Sequence, residues 1–159
     1  MNASLRIGHG YDIHRLQRGG ELRLGGVVVS REMSAIAHSD GDVVIHAIVD
    51  ALLGAMGQGD IGEHFPDSDP KWKGTQSSIF LTEVYRKLME QGWSVVNVDV
   101  TIMAERPRLK DFKAQMIENL RSILNCDINI KAGTNEGCDA VGRGEAIAAY
   151  AVVLIGREK

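Results

Sequence analysis

Two stretches near the start of the chain, residues 5–16 and 21–30, combine apolar and polar positions in the manner of strands. The segment between them, Gln17-Arg18-Gly19-Gly20, is turn-forming, so the pair predicts a hairpin, with Gly25-Gly26 marking a bulge or bend in its second strand. Over residues 42–56 the period changes to that of a helix: Val43, Ile45, Val49, Leu52, Leu53 and Met56 share one face, and Ser39 or Asp40 is available as the N-cap. A second helix is predicted over 77–91 from Ile79, Leu81, Val84, Leu88 and Met89, and it stops at Gly92. Residues 57–72, between the two helices, read as loop.

Residues 93–103 are β-branched and alternating, 108–125 are amphipathic with a helical period, 128–131 are short and β-like, and 146–155 form an apolar run suited to a buried strand. The order ββαα-βα-ββ does not interleave strands and helices strictly. It therefore predicts an α+β fold, with helices packed on one face of a mixed β-sheet, rather than a doubly wound nucleotide-binding fold. No repeat, composition shift or linker divides residues 1–159, which read as a single domain.

Composition agrees with this picture and narrows the function. A chain of 159 residues with 44% hydrophobic positions can build one real core. A net charge of -3 offers no bulk attraction to nucleic acid or an anionic membrane, and neither is expected as a partner. Cys126 and Cys138 are too few and wrongly spaced for a disulfide framework. Residues 1–5 lack a secretory start, and no run approaches the roughly 20 apolar residues of a membrane helix. A cytoplasmic protein, or the mature form of a plastid one, is expected.

Gly8-His9-Gly10-Tyr11-Asp12-Ile13-His14 carries the first candidate chemistry. Strand alternation puts Gly8, Gly10, Asp12 and His14 on one face, where the glycines clear space beside two ligand-type side chains. His46, in the first half of the first helix, supplies a third ligand, and Asp42 or Asp50, at i-4 and i+4, could accept its second ring proton. Without a metal, the same residues form an ordinary His-Asp helix pair. Two imidazoles and a carboxylate suit zinc, with one position left for substrate or water. His9, on the opposite strand face, and His38 and His64, in loops, are expected outside that first ring of ligands.

Three polar loops surround this candidate. Ala37-His38-Ser39-Asp40-Gly41-Asp42 presents a hydroxyl and N–H groups at a helix start, a seat for phosphate. The loop from Gly59 through Asp60, Gly62 and Asp67 to Pro70 suits a polyol or a solvated surface equally well. Lys131-Ala132-Gly133-Thr134-Asn135-Glu136, followed by Gly142-Arg143-Gly144-Glu145, offers the oxygen ligands and donors that a diphosphate and its magnesium ion require.

Taken in order, these motifs resemble the 2-C-methyl-D-erythritol 2,4-cyclodiphosphate synthase family of the non-mevalonate isoprenoid pathway. The resemblance also rests on Asp60-Ile61-Gly62 and Phe65-Pro66-Asp67, and it spans nearly the whole chain. It implies that Asp12, His14 and His46 bind zinc, that Glu136 binds magnesium or manganese, and that Thr134 helps hold the diphosphate in line. The implied reaction is an intramolecular phosphoryl transfer: the 2-phosphate of 4-diphosphocytidyl-2-C-methyl-D-erythritol 2-phosphate attacks the β-phosphorus and releases CMP.

By the same resemblance His38, Ser39, Asp60, Gly62 and Asp67 contact the methylerythritol phosphate. Ala104, Pro107, Leu109 and Lys110 form the cytosine pocket, with Ala132 and Gly133 beside it. The family is a homotrimer with its sites between subunits, and its central cavity can hold an isoprenoid diphosphate near an arginine like Arg143. The chain departs from the family pattern in three places: Gly133 replaces a threonine, Cys138-Asp139-Ala140 an aromatic or leucine-rich turn, and Ala146 a glycine. Two other classes share the three ligands, a metal-dependent phosphoesterase using zinc-bound hydroxide and a non-catalytic trimeric binding protein with a structural metal.

Overall fold

The computed structural model describes residues 3–158. Five strands form the main sheet: β1 (Ala3–Arg18), β4 (Met33–Ala35), β5 (Ser94–Met103), β6 (Asp127–Gly133) and β7 (Ala146–Glu158). They lie in the order β4-β1-β7-β5-β6, antiparallel except for the parallel pair β5–β6. The helices α1 (Val43–Met56), α3 (Ser77–Glu90) and α4 (Lys113–Leu124) lie where the periodicity places them, and the α+β layering is as expected.

The strand β1 does not form a hairpin with residues 21–30. Its end pairs with β4, Leu16 opposite Ala35, and its length pairs with β7, from Ala3 opposite Glu158 to Arg15 opposite Ala146. Residues 21–30 instead fold on themselves as β2 (Leu22–Leu24) and β3 (Val27–Ser30). The turn is Gly25-Gly26, whose φ values of 55° and 78° are the left-handed conformation that a two-residue hairpin turn requires. The glycine pair thus makes a hairpin within the segment rather than a bend in one strand.

The helix α1 lies directly on β1 and β7, and the glycines of β1 make this close approach. A β-carbon at Gly8 would fall 1.7 Å from the carbonyl oxygen of Ala51, and one at Gly10 would fall 1.8 Å from that of Ala47. The space beside Asp12 and His14 is therefore occupied by helix backbone, not left open. Twelve of the fourteen residues of α1 are buried, which makes it the central helix of the core.

Neither Ser39 nor Asp40 caps α1; the N-cap is Asp42. Its fully buried carboxylate accepts the N–H of Ile45 at 3.1 Å, of Gly25 at 2.9 Å and of Gly26 at 2.7 Å, tying helix start to hairpin turn. The loop 57–72 contains a one-turn helix, α2 (Ile61–His64), and a 3-10 turn at Pro70–Trp72. The predicted helix over 108–125 begins as a 3-10 turn at Lys110–Phe112 and ends at Asn125, whose φ of 48° is left-handed. A further single turn, α5 (Asp139–Gly142), packs Val141 against Ala146 and Ala148 on the sheet face opposite α1.

On β1 and β7 that opposite face bears an open apolar patch, whereas on β5 and β6 it is polar, with Asn129 and Lys131 bonded to Asp99. Leu5, Ile7, Tyr11 and Ile13 of β1 point outward beside Tyr150 and Val152 of β7, and each is more than 40% exposed. The Tyr11 and Tyr150 rings lie 4.8 Å apart at their centroids.

Candidate metal centre

Asp12 and His14, two residues apart on the inward face of β1, meet His46 one turn into α1. Asp12 Oδ2 lies 3.0 Å from His14 Nε2 and 2.9 Å from His46 Nδ1, and the two ring nitrogens are 3.3 Å apart. A tetrahedral zinc ion with bonds of about 2.0–2.1 Å holds its ligand atoms roughly 3.3 Å from one another, so three lone-pair atoms already converge at the spacing the ion needs. All the candidate ligand atoms lie within 4.8 Å of one another. The donor set fits a divalent metal.

The electrostatics match the geometry. Burial works to raise the Asp12 pKa, but the hydrogen bonds and charge of His14 and His46 outweigh it and hold the carboxyl well below its usual range. For His46, burial pulls the value down, while the bond to Asp12 and the charges of Asp12, Asp42 and Asp40 pull it up more strongly. The triad is a mutually stabilised acid-base cluster half withdrawn from water.

Neither helical aspartate accepts the second proton of His46. Asp42 is committed to the three backbone N–H groups named above, and Asp50 accepts the N–H of Ile61 at 2.7 Å. The Nε2 of His46 instead faces Ser77 Oγ at 2.8 Å and Ser39 Oγ at 3.2 Å. Ser77, the first residue of α3, is absent from the sequence-based candidates: it stands 31 positions away, and only its place at a helix start distinguished it from its neighbours.

The cluster opens on a cavity of about 440 Å³ lined by His38, Ser39, Gly62, Asp67 and Pro66, with Phe65, Trp72 and Phe80 as an aromatic wall. His38 lines the cavity, but its Nε2 is shielded from solvent and bonded to none of the described residues. The loop 37–42 is less open than a phosphate seat, because the Gly41 N–H goes to Ser39 Oγ and the Asp42 N–H to Asp40 Oδ1. Asp60, expected at substrate, caps α2 by accepting the Glu63 N–H at 3.1 Å and does not line the cavity.

The remaining candidates gather elsewhere. Ala104, Pro107, Leu109, Lys110, Ala132, Gly133 and Thr134 line a separate cavity of about 400 Å³. Beside it Glu136, with a left-handed φ of 50°, accepts a hydrogen bond from the Thr134 hydroxyl at 3.2 Å. None of these residues lines the metal cavity. Arg143 belongs to neither cavity and is paired with Glu145 at 2.9 Å.

Residues 5–156 match the model of the YgbB family. The chain belongs to this family. It is 52% identical over 158 residues to the 2-C-methyl-D-erythritol 2,4-cyclodiphosphate synthase of Desulfosudis oleivorans, which covers 98% of this chain and 94% of that protein. The bifunctional IspDF of Campylobacter jejuni superposes with a TM-score of 0.95 at 40% identity, over 99% of this chain and 44% of that longer one. A 2C-methyl-D-erythritol-2,4-cyclodiphosphate synthase solved in a CDP-bound form gives a TM-score of 0.87 at 38% identity, over 94% and 99% of the two chains. The resemblance to the cyclodiphosphate synthases read in the sequence thus holds over nearly the whole chain.

Proposed function

We propose that the chain converts 4-diphosphocytidyl-2-C-methyl-D-erythritol 2-phosphate to 2-C-methyl-D-erythritol 2,4-cyclodiphosphate with release of CMP, as a phosphorus-oxygen lyase of the non-mevalonate isoprenoid pathway. The observation that carries this reading is the convergence of Asp12, His14 and His46 on a cavity walled by His38, Ser39, Gly62 and Asp67, in a chain 52% identical to a synthase of that name.

Asp12, His14 and His46 would hold zinc, and Glu136 would hold magnesium or manganese. Such ions supply screening and alignment of crowded phosphate charges. The chain's own groups do the rest. The nucleophile is already an anionic phosphate, so no strong general base is required; Ser77, His46 and Asp12 stand in a hydrogen-bonded line, but the Ser77 hydroxyl is buried and donates to Asp40, so it is not placed as a nucleophile. His38 and the Ser39 hydroxyl would contact phosphate oxygens from the cavity lining, while the aromatic wall would keep bulk water from the reacting centre. At the other cavity the Thr134 hydroxyl would steady the diphosphate. Ala104, Pro107, Leu109, Lys110, Ala132 and Gly133 would surround cytosine, a reading supported by the CDP-bound relative.

The two halves lie in separate cavities, and the sheet face carrying Ile7, Tyr11, Ile13, Tyr150 and Val152 is apolar and exposed. Both features support a homotrimer in which that face is buried and the zinc half of one subunit meets the cytidine half of the next. Cytoplasmic residence is part of this reading and accords with the free thiols of Cys126 and Cys138. None of the described helices is long and apolar enough to cross a membrane.

The test is to supply the purified protein with the cytidyl substrate and magnesium while following phosphorus resonances. CMP and a cyclic diphosphate should appear in equal amounts without uptake of water. Release of an open-chain bisphosphate would point instead to a phosphoesterase, and no release of CMP would overturn the synthase reading.

A further inference from the structure

His46 is engaged at both ring nitrogens. Nδ1 faces Asp12 and His14, while Nε2 lies 2.8 Å from the hydroxyl oxygen of Ser77. Ser77 is fully buried, and its own groups are both directed at Asp40: its N–H donates to Oδ2 at 3.0 Å and its hydroxyl donates to Oδ1. A serine hydroxyl has one proton and two lone pairs. With that proton given to Asp40, the Ser77 oxygen can only accept from the imidazole, so Nε2 must carry the hydrogen. In the neutral ring that a metal ion requires, Nδ1 then keeps its lone pair, aimed at the space between Asp12 and His14.

Ser39 does not impose the same choice. Its oxygen is 3.2 Å from Nε2 and accepts the Gly41 N–H at 3.3 Å, but its proton is not committed to any described group and can turn toward the ring or away. Asp42 and Asp50, the other candidates for orienting the ring, are taken up by backbone N–H groups. Among the described partners of Nε2, Ser77 alone has its polarity fixed from behind.

We propose that Ser77, oriented by Asp40, is a positioning residue for the metal centre: it holds His46 in the Nε2–H tautomer that presents Nδ1 to the cation. The proposal rests on the metal-site reading above. It joins the loop before α1 and the first residue of α3, 31 positions on, to a ligand carried by α1.

Zinc affinity, measured on the intact protein by competition with a chromophoric chelator, tests it without recourse to turnover. Ser77→Ala should weaken zinc binding by about 10- to 100-fold, the range expected when the group behind a ligating histidine is lost, and Ser39→Ala by less than about threefold. Asp40→Asn should weaken binding when Ser77 is present and by less than about twofold once Ser77 is alanine, because the two act through one contact. Nitrogen NMR of the His46 ring in zinc-loaded wild-type protein should place the proton on Nε2, a readout that needs no variant. Unchanged affinity in Ser77→Ala would overturn the positioning role while leaving the metal site standing, whereas a proton on Nδ1 of the zinc-loaded protein would remove His46 from the ligands and overturn both. An equal loss from Asp40→Asn with and without Ser77 would overturn the part assigned to Asp40. Wild-type protein that binds no zinc would overturn the metal site itself, and the positioning role with it.

Discussion

Gly10 rests against Ala47 so closely that a β-carbon on it would stand 1.8 Å from the Ala47 carbonyl oxygen. This contact between β1 and α1 sets the depth at which His46 meets Asp12 and His14, because Gly10 is two residues before Asp12 and Ala47 directly follows His46.

Gly10→Ala should therefore act on both stability and the site. The obstacle is helix backbone rather than a flexible side chain, so relief requires α1 to lift from the sheet. A loss of about 2 kcal/mol or more in urea denaturation is expected. Zinc affinity should fall with it, since Nδ1 of His46 moves away from its two partners. A variant of wild-type stability would show that the helix yields freely and that the glycine does not set the site.

The carboxylate of Asp42 suggests a separate core variant. Asp42→Ala leaves the N–H groups of Gly25, Gly26 and Ile45 without their acceptor, two of them at a hairpin turn far from the helix in sequence. Each unsatisfied buried group costs about 1–3 kcal/mol, so a total near 3 kcal/mol or more is expected from urea midpoints. Asp42→Asn retains a carbonyl acceptor and should lose less. Loss of less than about 0.5 kcal/mol in the alanine variant would mean that water replaces the carboxylate.

The parts of this structure legible in the sequence are those set by local period. Asp12 and His14 share a face because strands alternate, and His46 joins them because one helix carries it over that strand. What was not legible depends on partners distant along the chain. The choice of β4 and β7 over residues 21–30 as neighbours of β1 is a matter of non-local pairing, which alternation alone does not specify. The Gly25-Gly26 pair carried a hairpin signal, but β1 nearby offered a competing partner. Asp42 lies at i-4 from His46, yet as an N-cap its carboxylate turns back to the helix start and away from the ring. Ser77 differs from the adjacent Ser78 only in which way its helix is docked.

Acidity should act in opposite directions on metal binding and on the metal-free fold. The His46 value is held above its ordinary 6.5 despite burial, chiefly by Asp12. In the metal-free protein this charged pair contributes stability that is fully present below 6.5 and is lost as pH rises through the raised value; the Asp12 side of the pair, with its lowered value, contributes above 3.8 and fades only in stronger acid. Zinc requires the neutral ring, so its affinity should begin to fall on acidification already above pH 6.5. Chelator competition and urea denaturation across the same pH series check both signs. A zinc affinity independent of pH in this range would rule out proton competition at His46.

The separation of the two cavities leads to a test of the shared site by mixing. His46→Ala removes the zinc half and should lose tight zinc and turnover, whereas Glu136→Ala should keep zinc and lose most turnover. Each variant alone forms trimers in which every site is damaged. In a mixed trimer, however, a zinc half from a Glu136→Ala subunit can meet an intact Glu136 from a His46→Ala subunit. Each such trimer then contains one fully wild-type site out of its three. Denaturing and refolding the variants together in equal amounts should restore roughly a quarter of wild-type turnover, the fraction expected from random assembly of a cyclic trimer. No recovery from well-formed mixed trimers would place both halves of the site in one chain, and with them the contact between the two cavities.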